Sequence, residues 1–197
     1  MEDTFFPTSQ AYPHVRIVMG MVVGLGIARL LGGVARIIQH PGQVPLYPVH
    51  LAWVASVLLM LVHYWWWEFG LFTVPRWTFE VYLFVLAYAV LLFLLSTLLF
   101  PDSMHDYDGY ESFFISRRRW FFGLMATTYV FDVVDTLIKG RVHLDHFGVE
   151  YLIRIPVFLV LCVVAALTAN RRFHAVFVTF TLVYQVSWIL RLFDTLD

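Results

Sequence analysis

Six apolar runs, each about as long as a bilayer is thick, constrain this chain more than any other feature. They fall at residues 15–38, 48–72, 77–100, 118–139, 147–169 and 172–193. A hydrocarbon core of about 30 Å is crossed by roughly twenty helical residues of this kind. No water is available at that depth to satisfy backbone N–H and C=O groups, so a spanning segment must be a helix or a strand of a closed barrel. Continuous runs, rather than alternating segments of about ten residues, select helices. The expected fold is therefore all-α: a polytopic membrane bundle of six transmembrane helices, one domain over residues 1–197. Composition agrees. Only 14% of the residues are charged and 60% are hydrophobic, whereas soluble domains carry about 25% charged residues. The breaks between runs are too short to hold a soluble domain.

A net charge of −1 gives no reason to expect nucleic acid, and the lipid bilayer is the expected partner. The single cysteine, Cys162, excludes an intramolecular disulfide. The first fourteen residues lack the short apolar segment and small-residue cleavage site of a signal peptide, so the first run is expected to be a retained span. No H-E-x-x-H, G-x-S-x-G or phosphate-binding loop occurs, and enzyme chemistry is not expected. The only lysine, Lys139, stands at the end of a run rather than at its middle.

Six spans place both termini on one face of the membrane, here face A. Arg36, Arg117, Arg118, Arg119, Arg171 and Arg172 collect on the opposite face B, against Arg16, Arg76, Lys139, Arg141 and Arg191 on face A. Basic residues favour the cytoplasmic side. The clusters "SRRRW" and "NRRF" tip face B inward and the termini toward the periplasm.

The third and sixth runs share a pattern. Arg76, Phe84, Leu86, Tyr88 and Val90 in "RWTFEVYLFVLAYAV" match Arg172, Phe180, Leu182, Tyr184 and Val186 in "RFHAVFVTFTLVYQV". Two three-helix repeats of this kind have opposite orientation, a layout many transporters use. The first run carries Gly20, Gly24, Ala28 and Gly32, small residues at four-residue spacing. They form an expected seam for close helix packing, either within the chain or with another copy. Arg29 lies deep in the same run, and a charge at that depth normally faces protein or water.

The acids gather toward face A. Glu68, Asp132, Asp135 and Glu150, with Arg154, are expected near one pocket, and His63 sits deeper. At 1.5 Å per residue Asp132 and Arg154 both lie about 10 Å from face A, which makes them the expected ion pair. In "HYWWWEF" (His63 to Phe69), three successive tryptophans sweep about 200° around a helix. They can serve as an interfacial belt on the lipid side and as a pocket wall on the protein side, where Trp67 shares a face with His63. Two loops carry partial metal-ligand patterns, "HDYDGYE" (His105, Asp106, Asp108, Glu111) and "HLDH" (His143, Asp145, His146), but solvated loops often look alike and no metal or other cofactor is expected. His50 and His174 stand at similar depth near face B, the least that a haem would require.

The stretches "GLGIARLLGGVARII", "HLAWVASVLLMLVHYWWWEFGL" and "RRRWFFGLMA" resemble a group of short bacterial multi-pass membrane proteins. The resemblance implies a bacterial inner membrane and six helices, and it brings neither an activity nor site residues. The residues themselves lead to an expected small channel or transporter for an ion, proton or small cationic solute, assembled as a homo-oligomer. Its candidate residues are Arg29, His63, Glu68, Asp132, Asp135 and Arg154. The rival expectation is a scaffold or sensor subunit whose intramembrane charges are structural.

Overall fold

The computed structural model describes residues 7–140 and 147–193. Among the described residues there are six long helices and no strand: α1 (Thr8–Gln39), α2 (Pro48–Trp67), α3 (Phe79–Thr97), α4 (Tyr110–Lys139), α5 (Gly148–Leu167) and α6 (Arg171–Phe193). A short 3-10 turn, Glu68–Thr73, continues α2. All six helices are long and apolar enough to cross a membrane, so the chain fits a multi-pass membrane protein.

The helices begin and end where local chemistry dictates. Pro48 opens α2 at a position where its missing N–H costs nothing. Thr78 caps α3 by accepting from the Val81 amide, and Asn170 caps α6 by accepting from the amides of Arg172 and Phe173. Hydropathy located the spans but not these ends. α1 starts at Thr8 and α4 at Tyr110, well before the apolar runs at residues 15 and 118. Polar first turns are as helical as apolar ones once their neighbours hold them. The Thr8 hydroxyl is tied to the Val74 carbonyl, and the Tyr110 amide donates to Pro45 across 3.1 Å.

α1 packs most closely on α3, α4 on α5, and α2 on α6. The inverted-repeat expectation is not met by this arrangement. Exchanging the two halves would carry the α1–α3 contact onto α4 and α6, yet α4 takes α5 as its main neighbour.

Trp53 lies at the centre of the core. The rings of Phe121, Phe122 and Phe177 meet it edge-on with centroids 5.3–5.4 Å away, a preferred geometry for aromatic pairs. Close approach of α1 to its neighbours uses Gly26 and Gly33 rather than the expected four-residue stripe. A Cβ on Gly33 would run into the ring of Phe100, and one on Gly26 would come within 3.2 Å of Leu61. Gly20 does pack inside the chain, against Trp65. Gly24, Ala28 and Gly32 lie on the exposed face of α1. The buried face runs Tyr12, Val15, Met19, Val23, Gly26, Leu30, Gly33 in mixed steps of three and four. Counting by fours alone drifts around the helix and selects the wrong glycine of "GLG".

Candidate functional site

The C-terminal ends of α2, α4 and α6 come together with the start of α5, and the intramembrane charges collect there. α4 presents Asp132, Asp135 and Lys139, spaced one turn apart along one side. α5 contributes Tyr151 and Arg154. The 3-10 turn after α2 contributes Glu68, its first residue, which is 1% exposed.

Asp132 and Arg154 form the ion pair that their depths implied, with Nη2 2.9 Å from Oδ2. The same oxygen accepts from the Tyr151 hydroxyl at 3.1 Å, and that hydroxyl lies 3.0 Å from the Thr136 hydroxyl. The guanidinium also rests on two ring faces, 4.9 Å from the centroid of Tyr151 and 4.7 Å from that of Trp188. Such contacts hold a desolvated cation by attraction to the ring quadrupole.

Two turns further along α4, Lys139 stands between two carboxylates. Its ammonium is 2.5 Å from Asp135 Oδ2 and 3.4 Å from Glu68 Oε1, and it donates to the Trp67 carbonyl at 3.3 Å. The ammonium is completely buried and each carboxylate is 1% exposed. Sequence reasoning treated Lys139 as a charge at the membrane surface. The signal that identifies it was present in its i,i+4 spacing from Asp135, which brings the two onto one helix face.

A cavity of about 100 Å³ adjoins this cluster, lined by His63, Trp67, Asp132, Arg154, Gln185 and Trp188 among others. By this measure one water needs roughly 10–15 Å³, so the space admits a short file of waters or a small solute. Gln185 was not anticipated from sequence; its Oε1 accepts from Ser56 of α2 at 2.9 Å. A neutral polar residue in a span carries no charge to draw attention, though it too costs free energy in lipid unless paired.

The three tryptophans of "HYWWWEF" point three ways. Trp66 is exposed on the outer surface. Trp65 turns toward α1, where its ring meets Gly20 and takes Arg16 over its face at 5.2 Å. Trp67 turns inward: Nε1 donates to Asp135 Oδ2 at 3.1 Å, and its ring lies 5.8 Å from His63. Trp67 therefore forms the partition between the Lys139 cluster and the cavity.

Two expected members stand elsewhere. Glu150 pairs with Arg191 at 2.6 Å and accepts from Tyr184 at 3.0 Å, on the rim rather than with Arg154. Arg29 is held at the other end of the bundle, by the Phe100 carbonyl at 2.8 Å and by Asp102 at 2.6 Å. It reaches toward the α3–α4 loop, as a long side chain does when its stem is in lipid and its head seeks polar partners. His50 and His174 face backbone carbonyls, those of Leu99 at 2.5 Å and Thr168 at 2.9 Å, and stack on Tyr110 and Phe122. Glu111 of "HDYDGYE" pairs with Arg171. Among the described residues no three His, Cys, Asp or Glu side chains converge as a metal site, and His143, Asp145 and His146 lie outside the described residues.

No protein-family model matches the chain, and no curated protein or solved structure matches it.

Proposed function

We propose that this chain is a small channel or transporter for a proton, an inorganic cation or a small cationic solute, working as a homo-oligomer in a bacterial inner membrane. One observation carries the reading. Three carboxylates and two cations from three elements are gathered inside the bundle beside a small cavity that Asp132 and Arg154 help to line, which leaves an excess of negative charge. Intramembrane charges are costly and most often mark a path for ions, protons or substrates. The setting favours a positive species twice over, because the cluster lies at the C-terminal ends of α2, α4 and α6, where helix dipoles present their negative pole. The volume of the cavity, about 100 Å³, suits water and small ions better than a bulky ligand.

The scaffold reading draws support from the closed Asp132–Arg154 pair, which resembles a structural clamp. Reconstitution into liposomes with an imposed gradient separates the two. Wild-type flux that both His63→Phe and Asp132→Asn alter, while both variants stay folded, supports transport. Flux no greater than that of empty liposomes for protons, Na⁺, K⁺ and Cl⁻ removes the transport reading and leaves the scaffold.

A further inference from the structure

We propose that Glu68, Lys139 and Asp135 form a single-proton site: one exchangeable proton is carried on the two buried carboxylates, beside the ammonium that lies between them. The inference deepens the transport reading and rests on it only for the access of water to face A.

Charge is the first argument. The Asp132–Arg154 pair is neutral in itself. The triad beside it holds two carboxylates and one ammonium, all with side chains at most 1% exposed, and so carries one negative charge that no described side chain balances. A buried charge without a partner is strongly destabilising, whereas one more unit of positive charge makes the triad neutral.

The second argument is the pair of open acceptors. Glu68 Oε2 and Asp135 Oδ1 are buried and have no hydrogen-bond partner among the described residues. An ionised carboxylate only accepts, and a protonated carboxyl also donates. A proton placed on either oxygen therefore supplies the donor that the cluster lacks.

The groups facing the triad do not change this balance. α1 brings the phenol of Tyr12, with Arg16 on the outer side of the turn, 4.0 Å from the Phe69 ring centroid. α2 brings Tyr64, and His63 on the cavity side, where Arg154 and Lys139 are the charges that face it. α3 brings Tyr88, and α4 brings Asp132, which is already paired.

Geometry selects a proton over a metal ion. The point where the carboxylates and the Trp67 carbonyl converge is filled by the Lys139 ammonium. A metal ion would have to displace that tethered cation. A proton binds on the far oxygens and displaces nothing. When it binds Glu68, the ammonium loses one anionic partner and is drawn toward Asp135, the acceptor of Trp67 Nε1. Occupancy of the site is in this way transmitted to the wall of the cavity.

The test is infrared difference spectroscopy on the full chain in liposomes, stepping from alkaline to neutral buffer. The wild type should show a protonated-carboxyl C=O band that shifts in D₂O. Glu68→Gln and Asp135→Asn, each nearly isosteric with a protonated acid, should abolish or displace it. Lys139→Gln removes the ammonium, so two protons are needed for neutrality and the band should grow about twofold. Absence of the band from the wild type, or its persistence unchanged in both carboxamide variants, would overturn the proposal. So would thermal stabilisation by Na⁺ or K⁺ over choline that Glu68→Gln removes, since it would assign the site to a metal ion. Flux is not read in this experiment. A band without flux upholds the proton site and refutes transport, and flux without a band does the reverse.

Discussion

The Asp132–Arg154 pair offers the sharpest test of how this bundle is held together. Asp132→Asn removes the anion opposite Arg154 and keeps an acceptor for the Tyr151 hydroxyl. The side chains of Arg154 and Asp132 are 12% and 17% exposed, so water screens the exchange weakly. Removing one member of a buried pair costs about 3–5 kcal/mol. Here the stranded guanidinium still rests on Tyr151 and Trp188, contacts worth about 0.5–2 kcal/mol, which lowers the expected loss to about 2–3 kcal/mol. Arg154→Gln leaves Asp132 with a hydroxyl donor alone and should cost a similar amount. The double variant has neither charge to strand, so it should fall short of the sum of the single losses by about 1–3 kcal/mol. Reversible unfolding in mixed detergent micelles, followed by circular dichroism for all four proteins, yields the coupling directly. Additivity to within about 0.5 kcal/mol would refute a direct pair.

Other expectations follow from the packing. Gly33→Ala forces a methyl group into the ring of Phe100 and should cost about 1–3 kcal/mol in the same unfolding assay; a second change, Phe100→Leu, should recover part of the loss. Gly24→Leu points away from the bundle and should leave unfolding within about 0.5 kcal/mol of the wild type, while a fall in particle mass by light scattering would show that another copy packs there. Trp67→Phe removes the indole donor to Asp135, a hydrogen bond to a charged group, and should cost about 1.5–3 kcal/mol in unfolding. Arg29→Gln should cost about 1 kcal/mol or less, because its partner Asp102 is 91% exposed; flux in liposomes should be unaffected.

Much of the architecture could be read from residue order because lipid imposes a simple rule. A span must be long, apolar and helical, and six runs obey it. Asp132 and Arg154 were legible for the same reason: depth in a helix is a linear function of position, so two charges at one depth can be paired on paper. Helix rotation is less accessible. It is set by which neighbour a helix meets, and for α1 that neighbour brought Gly26 and Gly33 inward and left Gly24, Ala28 and Gly32 outside. Lys139 was missed through its place at the end of a run, where a lysine ordinarily extends to water. Here two buried carboxylates, Asp135 on the same helix and Glu68 after α2, hold the ammonium inside.

The pairing of α2 with α6 also sets an order of events during synthesis. Ser56 and Gln185, which meet at 2.9 Å, are 129 residues apart in the chain. At about 5–20 residues per second, the ribosome takes roughly 6–26 s to deliver the second after the first. For that interval Ser56 lacks its final partner, and Trp53, already met by Phe121 and Phe122 of α4, lacks Phe177, because Gln185 and Phe177 are both on the last helix. The last helix therefore closes a bundle whose α1–α3 and α4–α5 pairs can already have formed. α2 is accordingly the segment an insertase or membrane chaperone would need to shelter, and a product truncated before α6 would leave the Ser56 hydroxyl without its partner, a mark by which a membrane protease could recognise it.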